Sequence, residues 1–222
     1  MQTYFSYTEQ EINYLKKNDK ILGNAIESIG EIKSVINPNI FESLISSIVS
    51  QQISATAAVT VYSRLKDLLK DVTPRNIYKT SLEDIQKCGM SMRKAGYIKS
   101  TATSVILGTP SLQQNIIIAD EDIPTLDIDI IDTLTDEEII KKLSALRGIG
   151  KWTAQMILIF SLNRKDVISY EDLAIRRGIK ILYNIEEDLT KHMFKEYTKK
   201  YSPFSSLASL YLWEIASKSI KS

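Results

Sequence analysis

The amino-acid sequence predicts an all-α protein with two helical lobes and a cleft between them. Three observations support this fold class. Apolar residues recur at helical spacing along most of the chain, helix starts carry recognisable capping residues, and strand-type alternation is rare. With 222 residues, of which 44% are hydrophobic and 25% charged, the chain can bury a core as one domain, residues 1–222.

The helices of the first half are predicted from residue 37 onward. Asn37-Pro38-Asn39 is a helix start signal, and apolar residues follow it at helical spacing from Phe41 to Val49. An alanine-rich run from Ile53 to about Leu69 continues the pattern, with a bend near Gln51-Gln52. Two further helices are predicted over residues 81–89 and 92–105.

Residues 106–133 do not follow a single pattern. Gly108, Pro110 and Pro124 interrupt any helix there. The run Ile116-Ile117-Ile118 and the alternation over residues 126–130 fit either a short strand or an extended linker.

The second half begins with Thr135-Asp136-Glu137-Glu138, which has the form of a capping box and predicts a helix through Leu146. Pro203 is expected in the first turn of a terminal helix that runs to about Lys218. The helices between them are predicted over residues 151–162, 172–182 and 189–201. We expect residues 40–135 to form one lobe, and the N-terminal segment with residues 136–222 to form the other.

A tight hairpin joins two of these helices within residues 136–162. Gly148 and Gly150 flank Ile149, which allows a sharp turn and leaves several amide groups unobstructed. A helix that begins at such a turn points free N–H groups outward and can bind a phosphate. Asp172 follows Trp152 by twenty positions, so its carboxylate could act on a nucleotide held by the hairpin. The combination indicates DNA chemistry.

The distribution of charge is compatible with this hypothesis. The net charge is only +1, but residues 100–140 carry nine acids and no Lys or Arg, and the remaining chain has a net charge of +10. Three basic clusters are either solvated helix faces or part of a phosphate-facing surface. They comprise Arg93, Lys94 and Lys99; Lys141, Lys142, Arg147 and Lys151; and Arg176, Arg177 and Lys180.

Cysteine and histidine usage excludes several classes of site. Cys88 and His192 are the only residues of their types, so an internal disulfide and a four-cysteine metal or iron–sulfur site are excluded. We expect no metal site and interpret both residues as structural. The chain lacks an apolar run of transmembrane length and the layout of a signal peptide at its start. Membrane partners are therefore not expected.

Four segments resemble, in order, those of a known family. They are Phe41 to Ala58 with its core Ser50-Gln51-Gln52-Ile53-Ser54, Met90 to Ala95, Leu146 to Ala154, and Tyr170 to Gly178. The sequence is similar to the helix-hairpin-helix (HhH-GPD) superfamily of base-excision DNA glycosylases, and most closely to its 3-methyladenine DNA glycosylase II (alkylpurine) branch. The distance from the hairpin to Asp172 also matches that family.

The resemblance implies a role for each site residue. Asp172 would be the catalytic carboxylate, with Glu171 as the neighbouring alternative, and Gln52 would fill the gap left by a flipped nucleotide. Pocket walls would come from Trp152, Trp213, Met156 and Tyr170. The DNA backbone would meet the hairpin residues Arg147, Gly148, Ile149, Gly150, Lys151 and Thr153, with a monovalent cation as an optional companion.

Each role has a plainer alternative. Asp172 could be an ordinary N-cap, and Gln52 a polar residue in a helix bend. Trp152 and Trp213 could be core aromatics. The side chains of Arg147 and Lys151 could simply face solvent.

Departures from the family narrow the expected reaction. Trp152 stands where lyase-active relatives place a Schiff-base lysine, so strand cleavage is not expected. Met156 replaces a pocket aromatic found in some members. No iron–sulfur cluster is expected, and neither is the N-terminal β-domain of the larger bacterial members.

The resemblance therefore implies a monofunctional glycosylase in base-excision repair. It would flip an alkylated purine of the 3-methyladenine or 7-methylguanine class out of damaged double-stranded DNA, hydrolyse the N-glycosidic bond and leave an abasic site. The alternatives are a glycosylase of the same fold for oxidised or deaminated bases, and a non-catalytic DNA-structure-binding protein. A monomer located with chromosomal DNA is expected, in the cytoplasm of a prokaryote or the nucleus of a eukaryote.

Overall fold

A computed structural model describes residues 2–114 and 123–218, and the regular secondary structure within these ranges is almost entirely helical. The only strands there are β1 (Thr3–Tyr4) and β2 (Val35–Ile36), which pair antiparallel with Thr3 opposite Ile36. The helices are α1 (Glu9–Asn18), α2 (Lys20–Ile29), α3 (Ile40–Ser50), α4 (Ala55–Leu69), α5 (Pro74–Lys79), α6 (Leu82–Lys87), α7 (Met92–Gly108), α8 (Asp136–Ser144), α9 (Lys151–Phe160), α10 (Leu173–Leu182), α11 (Lys191–Thr198) and α12 (Ser205–Lys218). The predicted all-α class is confirmed.

Local capping chemistry accounts for most helix starts. Asn39, Ser54, Ser81 and Ser91 each accept a backbone N–H of the helix that comes after them. The capping box predicted at Thr135 is present, with Glu138 bonding back to the Thr135 amide.

Three helices were not predicted, although their start signals are present in the sequence. Thr8 and Glu11 form a capping box at α1, and Asp19 caps α2. Thr73 caps α5, with Pro74 in the first turn. These helices span ten, ten and six residues, lengths similar to those of helices that were predicted, so the N-cap residues are the signal that was missed.

Of the two alternatives for residues 126–130, the linker is the one observed and the strand is not, because the Leu126 amide bonds to the Ser104 carbonyl of α7 and the backbone then bends into a 3₁₀ turn at Ile131–Thr133. One other local expectation was wrong. Pro203 lies in a turn before α12, which begins at Ser205. The Ile116-Ile117-Ile118 run lies outside the described residues.

The chain divides into two compact units, and the first combines Met1–Ile36 with Leu158–Ser222. Its core contains Leu15, Leu22, Ile175, Tyr201 and Tyr211, all fully buried. α10 and α12 pack closely because Gly178 lies against the Leu212 carbonyl, where a Cβ would approach the oxygen to 2.3 Å.

The second unit, Asn37–Ile157, contains α3 to α8 and most of α9. Its boundary differs from the expected lobes, because residues 136–157 belong here and not with the C-terminal helices. The hairpin is tied to this unit by the ring of Tyr97, which lies against Gly148, and by a hydrogen bond from Gln51. Across the residues that the structure describes, no helix is long and apolar enough to cross a membrane.

Candidate functional site

A buried carboxylate begins α10 in the first unit. Asp172 is the N-cap residue and is only 7% exposed. Its Oδ1 accepts hydrogen bonds from the Ile175 amide at 2.9 Å and from the Trp213 indole N–H at 3.2 Å. The partial positive charge at a helix N-terminus also attracts a carboxylate there. The orientation of this acid is therefore set by two donors from different helices.

Trp213 on α12 is the partner that an ordinary N-cap would lack. Its ring stacks on Phe160 with centroids 5.4 Å apart and an interplanar angle of 29°. The stacking holds the indole plane, and the N–H then holds Asp172. Phe160 was missed in the sequence, although Trp152, Met156 and Phe160 follow one another at intervals of four on α9.

The neighbours of Asp172 have different environments. Glu171 is exposed and accepts a hydrogen bond from the Ser169 hydroxyl, so Asp172 is the acid that the fold buries. Tyr170 packs edge-on against Phe194 and donates its hydroxyl to the Leu189 carbonyl. The guanidinium of Arg176 lies 5.0 Å from the centre of the same ring. These contacts give Tyr170 a packing role, and its role as a pocket wall stays a prediction.

The hairpin in the second unit has the predicted backbone. Gly148 adopts φ = +85°, and a Cβ there would lie 2.4 Å from the Tyr97 ring, so only glycine fits. Gly150 faces open space, with nothing within 4 Å of its would-be Cβ. Ile149 is buried and anchors the turn, whereas Arg147 and Lys151 are exposed. The amides that start α9 are thus presented on an unobstructed surface.

A pocket of about 440 Å³ lies beside the hairpin within the second unit. Its walls include Trp152, Met156 and Gln52, which were predicted as site residues, together with serines of α3 that were not. The complete lining is Ser47, Ser50, Gln51, Gln52, Trp152, Thr153 and Met156. Trp152 is 46% exposed, which is unusual for so large an apolar ring and contradicts the core-aromatic alternative. Thr153 is buried and is part of the wall of this pocket, so its side chain does not face bulk solvent.

Gln52 stands at the turn between α3 and α4 with φ = +58°. Left-handed backbone is uncommon for a residue with a side chain and costs on the order of 1 kcal/mol or more. The side chain is exposed at the pocket mouth. A strained, exposed glutamine is consistent with a functional residue more than with a simple helix bend.

Two lysines of the first basic cluster stabilise the fold. Lys94 donates to the carbonyls of Val49 and Gln51, and Lys99 donates to those of Ile77, Tyr78 and Thr80. The phosphate-facing alternative is therefore wrong for these two lysines, because their ammonium groups satisfy helix C-termini. Lys141, Lys142, Arg147 and Lys151 are exposed and remain available to solvent or to a polyanion.

A family model described as "HhH-GPD superfamily base excision DNA repair protein" matches residues 45–203, which include the hairpin, its pocket and Asp172. The chain belongs to this superfamily. The match spans residues of both compact units, so both contribute to the family fold.

Two solved structures and one curated sequence are similar to this HhH-GPD protein over nearly its whole length. A DNA-3-methyladenine glycosidase from Bacillus halodurans superposes with a TM-score of 0.84 at 34% identity, covering 99% of this chain and 94% of that one. The 3-methyladenine DNA glycosylase of Schizosaccharomyces pombe, solved with abasic DNA, superposes with a TM-score of 0.73 at 30% identity, over 92% and 95%. DNA-3-methyladenine glycosylase 1 of S. pombe is 33% identical over 214 residues, which cover 94% of this chain and 87% of the relative.

A metal site in the described part of this HhH-GPD protein would need a group of side chains that could bind the ion. Within residues 2–114 and 123–218, no three His, Cys, Asp or Glu side chains are grouped as metal ligands. A monovalent cation at the hairpin would instead bind main-chain carbonyls. The Gly148 carbonyl accepts a hydrogen bond from the Gln51 side-chain amide at 2.7 Å. The cation stays a prediction.

The two hairpin glycines provide a matched test of the phosphate site. We expect Gly148→Ala to lower the free energy of unfolding by about 1–3 kcal/mol and to weaken binding to abasic duplex DNA, because the turn must open away from Tyr97. Gly150→Ala should have a smaller effect on unfolding, because its Cβ meets nothing. Chemical denaturation and fluorescence anisotropy measure the two effects. A Gly150→Ala variant that unfolds more easily than Gly148→Ala would contradict this prediction.

Changing each of the two tryptophans to phenylalanine should affect different kinetic parameters. Trp213→Phe keeps a ring against Phe160 but removes the donor to Asp172, so we expect about tenfold slower base release at saturating enzyme. Trp152→Phe keeps an aromatic pocket wall and should alter mainly the concentration needed for saturation. Single-turnover kinetics distinguish the two. Equal loss of the saturated rate in both variants would contradict a specific role for the indole N–H.

Proposed function

We propose that this chain is a monofunctional DNA glycosylase that hydrolyses the N-glycosidic bond of alkylated purines in double-stranded DNA. It would leave an abasic site for base-excision repair. The observation that carries the proposal is the buried Asp172 carboxylate, oriented by the Trp213 indole at the start of α10. Similar proteins named DNA-3-methyladenine glycosylase support this substrate class.

Asp172 supplies the main electrostatic effect. As the N-glycosidic bond breaks, the electron pair leaves with the base, and positive charge develops at C1′ and the ring oxygen of the sugar. A fixed carboxylate stabilises this charge without having to reorganise, because the Ile175 amide and the Trp213 indole already hold Oδ1. Water then bonds to C1′ from the face of the carboxylate, which accepts or directs its proton.

The leaving group explains why no general acid is required. A purine methylated at N3 or N7 carries a positive charge, and it becomes neutral when it takes the electron pair of the broken bond. The base therefore departs without protonation, which suits a chain whose single histidine is His192 on α11. The same positive charge is attracted to the face of an aromatic ring such as Trp152.

The second unit would hold the DNA. Amides of the hairpin other than that of Ile149, which donates to the Leu146 carbonyl, would contact one backbone phosphate together with the Arg147 and Lys151 side chains. Gln52 would enter the gap left by the flipped nucleotide, and its strained backbone is already set for this position. A pocket of about 440 Å³ falls within the usual range for small-ligand sites, roughly 300–1,000 Å³.

We further propose that the protein acts as a monomer on chromosomal DNA, in the cytoplasm of a prokaryote or the nucleus of a eukaryote. Trp152 cannot form an imine with the abasic sugar, so strand cleavage is not expected. Met156 in the second unit, and Tyr170 and Trp213 in the first, stay proposed base-contacting residues.

The proposal is tested by incubating the protein with N-methylated duplex DNA and identifying the bases released. We expect 3-methyladenine and 7-methylguanine, with intact strands until the abasic sites are cleaved by alkali. Parallel reactions with borohydride should trap no covalent adduct. Release of an oxidised or deaminated base alone, or a trapped adduct, would replace this proposal with the corresponding glycosylase. Binding without any release would indicate a DNA-structure-binding protein.

A further inference from the structure

Two lysines of α7 cap the ends of two different helices in the second unit. Lys94 donates to the Val49 carbonyl at 2.8 Å and to the Gln51 carbonyl, both at the C-terminal end of α3. Lys99 does the same for α5, bonding to the carbonyls of Tyr78 at 2.6 Å and Thr80 at 2.8 Å. Carbonyls at a helix end lack partners within the helix and attract cations. Burial lowers the pKa of both lysines.

The two capped helices lead into different kinds of backbone. After α5 the chain enters the short helix α6, whereas after α3 it enters the left-handed residue Gln52. The φ of Gln52 is its rotation relative to the peptide plane that contains the Gln51 carbonyl. Because Lys94 holds that carbonyl, it holds the plane from which the Gln52 side chain projects.

Gln51 extends this connection to the hairpin. Its side-chain amide donates to the Gly148 carbonyl at 2.7 Å, across 97 positions of sequence. Tyr97, one turn beyond Lys94 on α7, lies against Gly148. One helix thus supports the Gln52 turn through Lys94 and the hairpin through Tyr97, with Gln51 joining the two.

We propose that Lys94 and Gln51 are positioning residues that join the Gln52 turn to the phosphate-binding hairpin as one rigid piece. This inference rests on the glycosylase function proposed above. When the hairpin binds a backbone phosphate, Gln52 is then placed at a fixed distance along the DNA. The entropy of ordering the backbone turn at Gln52 is lost on folding and not on binding. Flipping of the nucleotide is favoured for that reason.

Lys94→Met removes the ammonium group, and Gln51→Met removes the side-chain donor with little change in length. We expect about tenfold slower release of 7-methylguanine under single-turnover conditions at saturating enzyme for each variant, as for loss of a strong hydrogen bond. Affinity for abasic duplex DNA should change less, because the hairpin amides remain. Lys94→Arg, which keeps a cation with several donors, should restore most of the rate.

Lys99→Met is the matched control. Lys99 lies on the same helix as Lys94 and provides the same kind of cap to a different helix, so Lys99→Met should lower the melting temperature about as much as Lys94→Met, with a release rate close to wild type. A second readout reports insertion directly. In a duplex with 2-aminopurine beside the lesion, the fluorescence increase on binding should be retained by Lys99→Met and reduced in Lys94→Met and Gln51→Met.

The outcomes separate the two proposals. Slow release and a small fluorescence change in the Lys94 and Gln51 variants, with Lys99→Met normal, support the positioning role. If wild-type protein releases methylated bases and all three variants match it, or if Lys99→Met loses as much rate as Lys94→Met, the positioning role is overturned and the glycosylase function stands. If wild-type protein releases no base from any lesion, both proposals fail.

Discussion

Asp172→Asn is expected to reduce release of 3-methyladenine and 7-methylguanine by about 1,000-fold, the scale seen when a preorganised electrostatic contact is removed from an active site. A neutral amide cannot stabilise the positive charge that develops on the sugar. The fold should persist, because asparagine is an equally good N-cap and its Oδ1 can still accept from the Ile175 amide and the Trp213 indole. Single-turnover release from methylated DNA measures the effect.

Glu171→Gln makes the same chemical change one residue away and is the control. Glu171 is exposed, with its described hydrogen bond coming from Ser169, so its loss should leave release within about twofold of wild type, as for surface substitutions in general. Melting temperatures of both variants should stay close to wild type. Retention of more than a tenth of the activity by Asp172→Asn would assign the chemistry to another group. Loss of activity in Glu171→Gln would identify Glu171 as that group.

Asp19→Asn is expected to lower the free energy of unfolding by about 3 kcal/mol at neutral pH, as for removal of one partner from a buried ion pair. Asp19 is 4% exposed and caps α2 through the amides of Ile21 and Leu22. It also receives the ammonium of Lys200 at 2.9 Å and the hydroxyl of Tyr183. Asparagine preserves the cap through its oxygen, but its amide nitrogen cannot accept from Tyr183 or Lys200, so the loss reports the charge together with these two hydrogen bonds.

The same residue should produce a pH dependence of stability. Burial alone would raise the pKa of Asp19, but the hydrogen bonds from Tyr183, Lys200 and the Leu22 amide outweigh it, and the pKa in the folded state lies below the ordinary value. The stabilisation is therefore complete above the unfolded-state pKa of about 4 and is lost as pH falls through the folded value. Wild-type protein should lose stability more steeply than Asp19→Asn below about pH 4.

Asp84 provides a matched ion pair for comparison. Its carboxylate also lies 2.9 Å from a lysine, Lys87, but the pair is exposed on α6. Solvent screens such a pair, so Asp84→Asn should change the denaturation midpoint little. Urea titrations across pH for the three proteins provide the measurement. A loss of similar size in both variants would show that burial of the Asp19 network is not the reason for its effect.

The hairpin and the N-cap of the site could be predicted because each depends on residues that are close together in the sequence. A glycine pair with one apolar residue between them determines a hairpin, and an aspartate before an apolar helical period determines an N-cap. Both Gly148 with its positive φ and Asp172 at the start of α10 follow these rules, which depend on residues within a few positions. The same is true of the Thr135 capping box.

The interaction partners of the charged residues could not be predicted from local rules alone. Lys94 and Lys99 looked like part of a basic surface, because a sequence shows the charge of a lysine but not which carbonyls surround it. Their partners are the carbonyls of other helices, between 19 and 45 positions away. Arg147 and Lys151 are equally basic residues, but their side chains are exposed.

The helical class, the hairpin, the family and the N-cap position of Asp172 were all accessible from the sequence, since each rests on short-range periodicity or a contiguous motif. The groups that orient this acid and set the Gln52 turn became evident only in three dimensions. Trp213 reaches Asp172 across 41 positions, and Gln51 reaches Gly148 across 97. Such contacts arise from how helices pack, here from the close approach that Gly178 allows and from the support of α7, and no spacing along the chain encodes them.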